Sequence, residues 1–266
     1  MRVYLEGVGL LGPGLNGWQA SRAVLAGAAP YLQLPTTVTA SELLPAAERR
    51  RTGLPVKLAL AAGQAAFIHA GRDAATTATV FTSSSGDGEN LHHICATLAS
   101  PEREISPTRF HNSVHNAPAG YWSIATRSHA SSTSLCCRDA SFAAGLLDAA
   151  AQVATDGKAV ALIAYDQPYP EPLHTARPIG ASFGVALVMT AHTNGHVFAT
   201  LDIDFVSGKA SATPMPDSAL DALSAGVPAA RSLPLLAALA RCATEVVVLA
   251  YGEQNQLRVA VAPCND

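Results

Sequence analysis

The chain is poor in charge. Of its 266 residues only 14% are Asp, Glu, Lys or Arg, and they leave a formal charge of −3. That balance gives no electrostatic footprint for nucleic acid, and neither a basic block nor an acidic tail is present. No apolar run reaches the roughly 18 residues expected of a membrane span. At the N-terminus, Glu6 interrupts any signal-peptide core. A disulfide framework is not expected either. The five cysteines (Cys95, Cys136, Cys137, Cys242, Cys264) are odd in number and irregularly spaced, which fits a reducing cytoplasm. Gly-x-Ser-x-Gly is missing, which weakens a hydrolase reading. The Ser/Gly-rich loop at 83–88 lacks the Lys-Ser/Thr of a phosphate loop. There is no internal repeat and no low-complexity tract.

What is there is apolar. Hydrophobic residues make up 49% of the chain. A sizeable core is expected, in one large domain or two small ones. Low charge and abundant Ala also suit a chain with further surface buried against a partner. Strands are expected at residues 3–11, 76–83, 159–165, 183–189 and 198–205, with a closing hairpin at 245–250 and 256–261. Helices are expected at 18–25 behind Asn16, at 58–70, around Leu91, Ile94 and Leu98, and from Ser106-Pro107 toward Ile124 with a kink at Pro118. A broken helical stretch covers 218–241, while 27–51, 166–178 and 208–217 read as irregular. Strands alternating with helices indicate a layered α/β fold.

The stretch that carries most information is Ser131-Ser-Thr-Ser-Leu-Cys-Cys-Arg-Asp-Ala140, followed by a small-residue helix, Gly157 and an apolar strand. It resembles the nucleophile turn of β-ketoacyl synthases, enzymes of the thiolase superfamily. Other segments fall in the family's order. The opening strand runs into Gly12-Pro-Gly14, Arg49-Arg-Arg51 precedes an Ala-rich helix, and Ser106-Pro107, Asn116 and Ala119-Gly120 precede the nucleophile strand. More closely, Phe110-His-Asn-Ser-Val-His-Asn-Ala-Pro-Ala-Gly-Tyr-Trp-Ser-Ile124 resembles a ketosynthase-like branch of aryl polyene and xanthomonadin-type pigment clusters.

The resemblance implies a thiolase-like layered fold, the N-terminal half only, with a mixed sheet and helices on both faces. It covers 1–207, and 208–266 is a divergent segment expected to pack on the same domain. Counting back from Gly157 puts the nucleophile position at Ala140, flanked by Asp139 and Ser141, and none of these is a Cys. The family's two catalytic His motifs are also missing, since the last His is His196. Decarboxylative condensation needs a thiolate to hold the acyl chain and donors to stabilise the developing anion. The resemblance therefore implies a silent subunit of chain-length-factor type. It would pair with an active ketosynthase and meet acyl carrier protein through that complex, with no cofactor, metal or nucleic acid. His111, Val114, His115, Asn116, Tyr121, Trp122 and Phe142 are the expected tunnel or interface residues, with Val114 at the pocket end.

Competing readings attach to several of these residues. His111 and His115 have zinc-pair spacing but no third ligand, so packing or hydrogen bonding is expected. His92, His93 and Cys95 read as a polar surface helix. Cys136 and Cys137 read as two buried strand residues, because reactive thiols need exposure and positive surroundings. The alternative is an acyltransferase using Cys137 as a displaced nucleophile. A third reading is a homodimeric acyl-binding protein. Tyr121 and Trp122 are either interface anchors or ordinary core. The helix from Ser141 carries one charge, Asp148, between 142 and 153, so it should be a buried layer covered by a partner or by the C-terminal segment.

Overall fold

The computed structural model describes residues 1–39, 41–193, 196–208 and 210–264. The first half runs β1 (Arg2–Gly12), β2 (Leu15–Asn16), α1 (Trp18–Leu25), α2 (Ala46–Arg51), α3 (Leu54–Ala70), β3 (Ala78–Thr82), α4 (Gly88–Ala99), α5 (Pro107–Asn112) and α6 (Ala117–Thr126). The second half continues with β4 (Ser132–Leu135), α7 (Ser141–Asp156), β5 (Val160–Asp166), α8 (Leu173–Ala176), β6 (Phe183–Thr190), β7 (Ala199–Ser207), α9 (Ser218–Gly226), α10 (Leu233–Arg241), β8 (Glu245–Ala250) and β9 (Asn255–Pro263).

The strands form one mixed sheet in the order β4-β3-β5-β6-β1-β7-β9-β8, with β2 paired to β1. β3 is parallel to both β4 and β5, and the remaining neighbours are antiparallel. Every residue of β5 and β6 is buried. A sheet covered on both faces selects such continuous apolar runs over alternation. On one face, α3 and α6 close a core around Leu58, Phe67, Phe81, Trp122 and Ile163. On the other, α1, α7, α9 and α10 close a larger core around Leu10, Phe142, Leu146, Leu187 and Leu236.

Small residues set the spacing of α3. A Cβ at Gly7 would collide with the carbonyl oxygen of Ala66, and one at Gly9 with that of Ala62. The helix thus lies almost on the backbone of β1. The register of β1 against β6 shifts between Leu5 and Gly7, which turns Glu6 inward. Its two carboxylate oxygens accept from Arg72 at 2.6 Å each, so the buried charge is paired. The Val8 amide donates to His69 Nδ1 at 2.9 Å.

Sequence and structure differ at several helices. α3 begins at Leu54 rather than 58, because Pro55 occupies its first turn, where a missing N–H costs nothing. Residues 106–124 form two helices, not one kinked helix. The break falls at 113–116, and Pro118 opens α6 instead of bending it. A short helix, α2, lies inside the stretch read as irregular.

The C-terminal residues extend the same sheet. β9 pairs with β7 from Ala199↔Pro263 to Ser207↔Asn255, and β8 forms the outer edge. A 3-10 turn over Pro228–Ser232 packs on α7, whose Phe142, Ala143, Gly145, Leu146, Ala149, Ala150 and Val153 are buried. The cover expected for that helix comes at least partly from this chain's own C-terminal segment.

Candidate functional site

The carboxyl ends of the parallel strands β3, β4 and β5 converge with the amino end of α7. In sheets of this kind that edge is where ligands and reacting groups gather. β4 stops at Leu135, Cys136 and Cys137 follow, and a 3-10 turn over Arg138–Ala140 leads into α7. Arg138 is left-handed, with φ 50°, a conformation uncommon for a residue with a side chain.

None of the three residues at the expected nucleophile position offers a free nucleophile. Ala140 is the N-cap of α7 and presents only a methyl group. Asp139 is exposed and accepts from Arg177 at 2.7 Å, with Arg231 at 3.6 Å. Ser141 is buried, and its Oγ accepts from the Cys137 amide at 3.0 Å. The hydroxyl hydrogen faces the carbonyls of Arg138 at 2.7 Å and Ser83 at 3.1 Å. This side chain fastens the turn to β3.

The structure corrects the reading of the paired cysteines. They lie beyond the end of β4 and are exposed rather than buried in a strand. The reason is that β4 is a four-residue edge strand, and the chain leaves the sheet before reaching them. Cys136 Sγ donates to the Ser84 carbonyl at 2.9 Å. Partial burial of its sulfur, and the neighbouring Cys136, push the Cys137 thiol pKa up, which disfavours the thiolate.

Four further residues organise this end of the sheet, and the sequence reading did not single them out. Asp166, buried at the tip of β5, accepts from the Ser84 amide at 2.9 Å and the Ala229 amide at 2.8 Å. Burial pushes its pKa up to about 6, against the pull of these hydrogen bonds and of Arg177. The Tyr169 hydroxyl bonds Ser84 Oγ at 3.0 Å and Ser85 Oγ. Arg177 and Arg231 hold Asp139 from two loops. The one signal in sequence was an acid closing an otherwise apolar strand, at Asp166.

The expected tunnel or interface residues divide. His115 reaches this end of the sheet. Its Nε2 donates to the Leu135 carbonyl at 2.7 Å, and Nδ1 lies beside Gly86. Val114 is 48% exposed and, with His115, Val56, Asp87 and Tyr165, lines a narrow cavity of about 10 Å³. The Tyr165 hydroxyl is buried without a hydrogen-bond partner among the described residues, and burial pushes its pKa up. His111 is exposed and meets Tyr121 edge-on at 6.3 Å. Asn116 is exposed and makes no side-chain cap to α6.

Tyr121, Trp122 and Phe142 are core residues of this chain, each 2% exposed or less. Their rings fill the space between helix and sheet, and Trp122 packs against Phe67 and Phe81. Among the described residues, no three His, Cys, Asp or Glu side chains are grouped to hold a metal. No helix there is long and apolar enough to cross a membrane.

A cleft of about 700 Å³ opens beside the narrow cavity, between α2, α4 and α5. Arg50, Arg51, Arg109, Asp87 and Glu89 are its charged lining residues.

Fold and turn together define an α/β protein of thiolase-like architecture. Residues 18–251 match the family model described as "Beta-ketoacyl synthase, N-terminal domain", and the chain belongs to that family. No curated protein sequence matches it. Among solved structures, it is similar to a chain of "Ketosynthase (ApeO) in Complex with its Chain Length Factor (ApeC) from Xenorhabdus doucetiae". That match has 22% identity and a TM-score of 0.73, covering 98% of this chain and 99% of that one. It is also similar to a chain of "The ishigamide ketosynthase/chain length factor", with 15% identity, a TM-score of 0.75 and full coverage of both. A third likeness is to a chain of "AntDE:AntF (apo): type II PKS acyl-carrier protein in complex with its ketosynthase bound to the hexaketide". There the identity is 10%, the TM-score 0.76, and 99% of each chain is covered. At these identities the likenesses establish the fold.

Proposed function

We propose that this chain is a non-catalytic, chain-length-factor-type subunit that pairs with an active β-ketoacyl synthase in the assembly of a polyene pigment precursor. The observation that carries the reading is the strand-to-helix turn. Its three central residues are a methyl group, an ion-paired carboxylate and a hydroxyl consumed by the backbone. None of these three groups can accept an acyl group, and on this reading the elongating chain sits on the partner's thiol. Two of the similar structures are described as a ketosynthase with its chain length factor. A third is described as holding an acyl-carrier protein, which this subunit would meet through the complex.

The surface supports a partner. β4 is a sheet edge, with hydrogen-bonding groups on its outer side open to another strand. Near its end, His115 joins α5 and α6 to Leu135. Only Gly88 and Asn90 of α4 are buried, and Leu91 and Leu98 are exposed on the same side of that helix. Phe110, 64% exposed, and Val114 add to the apolar surface.

Solution mass by light scattering tests the reading. Co-expression with a ketosynthase from the same genome should give a one-to-one complex. A well-behaved homodimer that ignores the ketosynthase would overturn it in favour of the acyl-binding homodimer. The exposure of Cys137 supports a second reading, a displaced nucleophile. Stoichiometric labelling of the folded protein at Cys137 by a chloroacetyl probe would favour that chemistry, and its absence would remove it.

A further inference from the structure

We propose that the outer face of β7, β9 and β8 pairs with the same face of a second copy of this chain. Side chains alternate between the two faces along these strands. Leu201 and Ile203 of β7, Val259 and Val261 of β9, and Val247 and Leu249 of β8 belong to the larger core. The helices that pack on these strands, α7 and α10, belong to that core too. The intervening residues point the other way. On that side α3 packs on β1, β5 and β6, and α6 on β3 and β4. The last three strands carry the sheet past both helices. An antiparallel face left in water normally alternates to polar residues. Here Val206, Val248, Ala250, Ala260 and Ala262 are partly exposed, and Val246 is 46% exposed.

The charges on this face select the occupant. Arg2 holds Asp202 through bonds of 2.9 and 2.8 Å. Asp204 and Arg258 stand opposite each other on β7 and β9, and both are exposed. Among the described residues, neither has an ion-pair partner. The four charges cancel, so two copies of the face do not repel, whereas an acidic or a basic partner would leave one sign unmatched. A two-fold axis along the strands, between β7 and β9, lays each β7 residue of one copy over its β9 neighbour in the other. Asp204 of each copy then meets Arg258 of the other. Asp202 falls over Ala260 and Thr200 over Ala262, small residues that let two sheets approach to about 10 Å. Strand spacing and rise make the face on the order of 20 by 20 Å. That is less than a standard interface, so the association is weak and in the micromolar range. The face lies at the opposite end of the sheet from the β4 edge. A ketosynthase at β4 and a second copy here bind together, and the pairing does not rest on the heterodimer reading.

Sedimentation velocity of the full chain across the micromolar range tests this. The mass should rise with concentration from monomer toward dimer. Asp204→Arg and Arg258→Asp each set like charges together across the two-fold and should weaken the dimer about tenfold or more. The double variant Asp204→Arg/Arg258→Asp should restore it. Both positions are exposed, and thermal melting checks that each variant is folded. With a co-expressed ketosynthase, the complex should pass from one-to-one to two-to-two as concentration rises. A wild type that stays monomeric, a folded Asp204→Arg chain that dimerises as wild type does, or a double variant that stays monomeric would each overturn the proposal. So would loss of the ketosynthase from Asp204→Arg, which would assign the face to that subunit. A chain that dimerises and responds to these variants but ignores the ketosynthase supports the pairing and removes only the heterodimer reading.

Discussion

Gly9 and Gly120 are the same residue in opposite circumstances. A Cβ at Gly9 would meet the Ala62 carbonyl oxygen, whereas one at Gly120 in α6 has nothing within 4 Å. Gly9→Ala should destabilise by about 1–3 kcal/mol or more through overpacking. Gly120→Ala should stabilise by about 0.5–1 kcal/mol by restricting the unfolded chain. Urea midpoints of the two variants check the pair. Asp166 gives a pH signature. Its folded pKa lies near 6, above the ordinary value of 3.8. Between those values the native state keeps a proton that the unfolded state releases, so this group's contribution is fully present below about pH 4 and is lost as pH rises through 6. The stability difference between wild type and Asp166→Asn should therefore shift against the wild type from pH 4 to pH 7. A pH-independent difference would mean that Asp166 titrates normally. At the nucleophile turn, Ala140→Cys should restore no condensing activity in a malonyl decarboxylation assay. A thiol there would have neither a matching His motif nor a free neighbouring base, because Asp139 is held by Arg177.

At the scale of the element, α7 and α4 show how differently two helices with apolar residues can behave. α7 buries its apolar side between the sheet and the Pro228–Ser232 turn. Placing a charge there, as in Ala149→Asp, should cost several kcal/mol because the carboxylate would be buried unpaired. α4 leaves Leu91 and Leu98 in solvent. The double variant Leu91→Glu/Leu98→Glu should change the stability of the isolated chain by no more than about 0.5 kcal/mol per site. On the heterodimer reading it should abolish co-purification with the ketosynthase. An intact complex with both glutamates present would remove α4 from that interface. Val114, in the α5–α6 connection, is the corresponding length test. Val114→Trp should shorten products with the complex intact, and unchanged lengths would count against a pocket-end role.

At the scale of the whole molecule, the sheet joins residues on both sides of 207, beyond which the sequence reading expected a divergent segment packing on the same domain. β7 continues through β9 to β8, and the family match also crosses that position. The segment after 208 supplies helices and a turn to the larger core, and Ala229 of that turn is tied to Asp166 at the strand ends. Truncation at 207 should thus leave the larger core uncovered and yield aggregated protein. A soluble, cooperatively unfolding 1–207 fragment would show that the first part stands alone.

The sequence by itself determined the strands, the layered α/β class, the burial of α7 and the absence of a Cys at residues 139–141. These depend on local pattern: long apolar runs in β5 and β6, small residues in α7, and the identities of residues 139–141. The break between α5 and α6 was misread because a Pro inside an apolar run signals a kink and a helix start equally well. The exposure of Cys136 and Cys137 was missed because it depends on where an edge strand ends, which is set by its pairing with β3. Only the tertiary structure decided which charges are compensated. Asp139 meets Arg177 and Arg231 from distant loops, and Asp166 receives amides from two other segments. Such partnerships are made by residues far apart in sequence, so electrostatics at a site is a property of the assembled sheet and not of any single stretch of the chain.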